Sequence, residues 1–135
     1  MMSKTILTMA MVVLTNHAFA IDQNQKKELY EIVKETGYNY CFVLINKDQD
    51  RRTGLNHFKI SPTSACQCTS IEAANSMEVS PLYHAYLRNL IRHMNINKGL
   101  EPPFEYEEDQ DQAVNEYSRI FDNSWANCFM RLKKS

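Results

Sequence analysis

Glycine and proline are scarce in this chain of 135 residues, with 3 and 4 respectively. So few turn formers argue against a sandwich or barrel of many short strands, which needs punctuation at every hairpin. Glycine-rich phosphate cradles are equally hard to build from three glycines. Charge of one sign is also missing: 15 basic residues face 16 acidic ones, so the chain as a whole carries no strong field toward nucleic acid or an anionic membrane. The chain has the length of one domain. No Gly-x-Ser-x-Gly, no His-Glu-x-x-His and no internal repeat occurs.

The apolar run at the start, Ile6 to Leu14, is too short to span a bilayer, which takes about 20 apolar residues. Lys4 precedes it and Ala18-Phe19-Ala20 follows. A single charge, an apolar stretch and a small-x-small end compose a secretory leader, so residues 1–20 are expected to be a cleaved signal peptide. Residues 21–135 are then a single helical domain. Loss of Lys4 leaves 14 basic residues against 16 acidic, and no later stretch is long and apolar enough to insert stably in a membrane. The expected location is the periplasm or the extracellular medium.

Export would place Cys41, Cys66, Cys68 and Cys128 in an oxidising compartment, where four cysteines in a short chain read as two disulfides. Cys66 and Cys68 lie two positions apart, so on a helix they point about 200° apart and cannot bridge each other without strain. Two pairings remain: Cys41–Cys66 with Cys68–Cys128, or Cys41–Cys68 with Cys66–Cys128. Either closes loops worth about 3 to 4 kcal/mol each on a chain-entropy account.

Hydropathy spacing predicts a mainly α fold, a small bundle of about four helices. Leu29, Val33, Thr36, Tyr40 and Leu44 form one stripe over 23–45, weakened by Gly37. The alternative is a short strand near 38–45, or near 55–60. Asn46 to Gly54 reads as a polar turn. Its Asn46-x-Asp48-x-Asp50 opening suggests a calcium loop, but Arg51 and His57 stand where that loop needs glycine and glutamate. Ser61-Pro62 and Ser80-Pro81 each carry the signature of a helix start. The first helix so opened runs to about Met77. The second buries Tyr83, Tyr86, Leu87, Leu90, Ile91 and Met94, and stops at Asn97-Lys98-Gly99. A last helix over 110–132 buries Val114, Tyr117, Phe121, Trp125, Cys128 and Leu132.

Between the last two helices, Glu101, Glu105, Glu107, Glu108, Asp109 and Asp111 put six carboxylates around Phe104 and Tyr106. Charge runs are usually solvated loops. Interleaved with aromatics, this one is also a suitable contact for another protein with a basic surface. The format of a leader, a short helical domain and a few disulfides is similar to that of small periplasmic immunity proteins, although no specific motif carries the likeness and no residue role transfers. The sequence therefore points to an exported protein acting by protein–protein binding, of inhibitor or immunity type, rather than to an enzyme. It calls for no metal or other cofactor: His84 and His93 fall on opposite sides of one helix. A thiol-redox or metal-handling protein using Cys66 and Cys68 is the alternative. A small hydrolase with a dispersed site is the second, since a Ser-His-carboxylate set needs no local signature.

Overall fold

A computed structural model describes residues 21–100 and 108–134, with side chains in the last helix from residue 111 onward. Five helices follow one another: α1 (Gln23–Lys47), α2 (Gln49–His57), α3 (Pro62–Glu78), α4 (Tyr83–Asn97) and α5 (Glu108–Leu132). The expected signal peptide lies outside the described residues. No strand occurs among them, so neither 38–45 nor 55–60 is extended.

A reciprocal cap starts α1. Asp22 Oδ1 accepts from the Gln25 backbone N–H at 2.8 Å, and Gln25 Oε1 accepts from the Asp22 N–H at 3.2 Å. The helix then runs through Gly37 to Lys47, and its buried line is Leu29, Val33, Gly37, Cys41 and Ile45. Sequence spacing drew that line through Thr36, Tyr40 and Leu44; the first two are exposed and the third half-buried. The seam turns at Gly37 because the glycine is itself a contact. A methyl group there would collide with the Tyr117 hydroxyl and come within 3.6 Å of Ser70 Cβ.

The polar stretch expected to be a turn is α2, which raises the helix count from four to five. Asp48 both ends α1 and caps α2: its N–H donates to Leu44 O at 2.9 Å, and its carboxylate accepts from the N–H groups of Asp50 and Arg51. Arg52 Nη1 closes the free carbonyls of Ile45 and Asn46 at 2.9 and 2.6 Å. The α2 helix ends in a Schellman closure, with Ile60 N–H donating to Leu55 O and Lys59 N–H to Asn56 O. Lys59 takes the left-handed position, at φ 57°.

Helix α3 is the centre of the bundle, between α1 and α5. Two adjacent rows of its residues are buried, Ala65, Thr69 and Ala73 beside Cys66, Ser70, Ala74 and Met77. Small side chains let both neighbours approach closely. The two buried hydroxyls are satisfied within the helix, Thr69 Oγ1 by Ala65 O and Ser70 Oγ by Gln67 O. Contacts at both ends fix the directions. Late α1 is bonded to early α3 through Cys41–Cys66, and early α1 meets late α3 where the Tyr30 hydroxyl donates to Asn75 Oδ1. The same holds for α3 and α5, through Cys68–Cys128 at one end and Ser80–Glu116 at the other. Both neighbours are therefore antiparallel to α3.

Helix α4 lies on α5, with the Tyr86 and Tyr117 rings stacked 5.0 Å apart. Ser80-Pro81 does begin a turn, since Ser80 Oγ accepts from Leu82 N–H, but the regular helix starts only at Tyr83. Of the predicted stripe, Tyr83, Tyr86 and Leu87 are buried, whereas Leu90, Ile91 and Met94 are half-buried. Gly99, at φ 74°, closes the helix as expected, with Leu100 N–H on Asn95 O and Gly99 N–H on Ile96 O. On α5, Tyr117, Phe121 and Cys128 are buried as predicted, Trp125 and Leu132 are half-buried, and Ala113 replaces Val114, which is exposed.

Candidate functional site

Two disulfides leave α3 in opposite directions. Cys66 joins Cys41 and Cys68 joins Cys128, with Cα–Cα distances of 5.5 and 5.9 Å. This is one of the two pairings left open by the sequence. Cys66 and Cys68 thus belong to separate bridges, and no free cysteine occurs among the described residues. Both bridges join distant helices, which suits an oxidising, extracytoplasmic environment. Among the described residues, no helix is long and apolar enough to cross a membrane.

Of the acid–aromatic segment, Glu101, Phe104, Glu105, Tyr106 and Glu107 lie outside the described residues. Glu108 and Asp109 stand in the first turn of α5. Asp111 is half-buried and its Oδ2 accepts from Asn115 Nδ2 at 3.5 Å. Asp111 lies in the first turn of α5, where the positive end of the helix dipole favours a carboxylate.

A groove of about 420 Å³ runs between α3 and α5. Sequence reading did not find it, because its residues come from two separate stretches, 72–80 and 116–127. One end is Glu72, whose two oxygens accept from Arg131 Nη2 at 2.6 Å and Asn127 Nδ2 at 3.0 Å. The other is Glu116, held by Arg119 Nε at 2.8 Å and the Ser80 hydroxyl at 3.2 Å. The Arg119 hydrogen bond holds the Glu116 carboxyl below its ordinary range, slight desolvation opposes it, and the Arg119 charge and the Ser80 bond add to the lowering. Ser76, Asn123 and Ser124 line the floor between them. Both carboxylates are thus engaged by cations, and none of His57, His84 and His93 lines the groove. No trio of His, Cys, Asp or Glu placed to hold a metal ion occurs among the described residues.

The aromatic residues make a second feature. Tyr86, Tyr117, Phe121 and Tyr40 form a continuous row of ring contacts from α4 across α5 to α1. Burial raises the Tyr86 phenol to about 12, with a smaller contribution from Tyr83, and raises Tyr117 further still. The hydroxyls of Tyr83 and Tyr117 are buried and have no hydrogen-bond partner among the described residues. Farther along α5, Arg51 lies over the Trp125 ring at 4.7 Å, with Asp48 and Asp122 3.2 and 3.4 Å from its nitrogens.

Comparison with known proteins places none of this in a family: no family model, no curated protein and no solved structure matches the chain.

Proposed function

We propose that the chain is an exported binding protein, periplasmic or secreted, of inhibitor or immunity type. It engages a partner's basic surface through the acid–aromatic segment from Glu101 to Asp111. The observation that supports this reading is the anchorage on either side of that segment. Upstream, α4 is closed by the Gly99 Schellman turn. Downstream, α5 is covalently held to α3, and α3 to α1. A binding segment hung between two fixed helices loses less conformational freedom on docking than a free tail would. The six carboxylates supply long-range attraction and orientation, and Phe104 and Tyr106 supply apolar contact area.

The test is capture from a periplasmic or culture extract on the immobilised, oxidised protein. A parallel column carries the variant Glu105→Gln, Glu107→Gln, Glu108→Gln. The expected result is a basic partner retained at low ionic strength, released by salt, and weakened at least tenfold on the variant column, since electrostatic association falls steeply with lost charge. Equal retention by both columns, or no retention by either, overturns the proposal.

A further inference from the structure

Net charge near zero conceals a polarised molecule. Asp111 and Glu116 stand toward one end of α5, and Lys133 and Lys134 follow the other. At that second end, the last turns of α2 and α5 come together around two phenylalanines. Phe58 and Phe129 meet edge to face at 5.5 Å, and His57 packs edge-on to Phe58 at 4.7 Å. Phe58 remains 42 % exposed. Lys133 Nζ sits 5.3 Å from the Phe58 ring centre and 5.9 Å from that of Phe129. Lys59 follows Phe58 and Lys134 follows Lys133 in the chain, and both are exposed. The acidic residues of α2, Asp48 and Asp50, belong to its opposite end, about 12 Å along the helix axis from Phe58.

Two details of this patch are not required by the fold. Lys59 occupies the left-handed closing position of α2, at φ 57°, where glycine fits without strain. The α4 closure, which makes the same pair of hydrogen bonds, has Gly99 there. Phe58 lies on the open side of that turn, while its neighbours Leu55 and Ile60 fill the core. A strained backbone position that carries a cation beside an exposed aromatic ring is a reason to look for a ligand.

The geometry points to a peripheral docking surface for an anionic phospholipid bilayer, made by Phe58, Phe129, Lys59, Lys133 and Lys134. Charge complementarity chooses this occupant. Lys133 lies over the aromatic pair, with exposed Lys59 and Lys134 next to Phe58 and Lys133 in the chain, and a headgroup layer offers phosphates for the ammonium groups and a less polar layer beneath for the ring edge. The α2 turn sets Phe58 under Lys133 and directly before Lys59. Docking by this end directs the acidic end of α5 away from the bilayer. The inference does not depend on the proposed partner of that acidic end.

Vesicle co-sedimentation of the oxidised protein tests it. Phosphatidylcholine vesicles serve as the neutral surface, and phosphatidylcholine mixed with phosphatidylglycerol as the anionic one. Wild type is expected to sediment with the anionic vesicles at low salt and to be released at high salt. Lys59→Gly is expected to lower the partition about fivefold, the usual worth of one lysine at an anionic surface. It should do so without lowering the melting temperature, because glycine suits the turn, so misfolding is excluded as the cause. Phe58→Ala should reduce partition further. Equal sedimentation with neutral and anionic vesicles, no sedimentation with either, or an unchanged Lys59→Gly partition overturns the inference.

Discussion

Gly37 and Tyr117 show how far one contact can shape a helix seam. The glycine leaves room for a phenol whose hydroxyl is buried and has no hydrogen-bond partner among the described residues. Removing that hydroxyl removes a desolvation cost, so Tyr117→Phe should stabilise the fold by about 1 kcal/mol in chemical denaturation. Gly37→Ala alone should destabilise it by about 1 to 3 kcal/mol, as overpacking does. Combined with Tyr117→Phe, the alanine should recover much of that loss, because the colliding atom is gone and alanine favours helix by about 1 kcal/mol. Strictly additive effects would show that the two positions do not touch. From the sequence, Gly37 reads as a weakness in α1. Its role as a contact depends on a tyrosine eighty positions away, and no local pattern records that.

At the scale of elements, what was legible follows local chemistry. Serine–proline starts, the stop at Gly99 and the carboxylate-rich start of α5 are decided by neighbouring residues, and each lies at or close to its expected place. α2 was not legible, because it has a single buried residue, Leu55, and so no stripe to count. Its evidence lies in Asp48, which caps one helix while ending another. Asp48→Ala should cost about 1 to 2 kcal/mol, through the lost cap and the lost pairing with Arg51. The α4–α5 contact carries a pH signature. Tyr86 is held neutral by burial up to about 12, against an ordinary value of 10.0. A phenol raised in the folded state contributes stability that is complete below pH 10 and lost as the pH climbs from 10 toward 12. Alkaline unfolding is therefore expected to begin in that window, with delayed phenolate absorbance. Tyr86→Phe, with no proton to lose, should move the midpoint to higher pH. An unmoved midpoint would place the alkaline transition elsewhere.

Over the whole molecule, α3 is held on both flanks by cysteines that face apart, and the two staples do different work. Elimination of the Cys66–Cys68 bridge is legible from spacing alone. The choice between the two remaining pairings depends on which neighbour lies on which side of α3, and that is a tertiary fact. Cys41 and Cys66 are fully buried, whereas Cys68 is half-buried. Arg131 Nη2 stands 3.2 Å from Cys68 Sγ and 3.4 Å from Cys128 Sγ. When an external thiolate attacks this bridge, one sulfur must leave as a thiolate, and the guanidinium stabilises it. Mild dithiothreitol treatment should therefore open Cys68–Cys128 first, leaving a folded species in which Cys41–Cys66 persists. That species should be less stable by about 4 kcal/mol, from release of a 60-residue separation. Alkylation at timed intervals followed by peptide mapping checks the order. Arg131→Gln should slow the first step while leaving the second unchanged. Simultaneous appearance of all four alkylated cysteines would mean instead that reduction waits for global opening, and that Arg131 has no hold on the half-buried Cys68 sulfur.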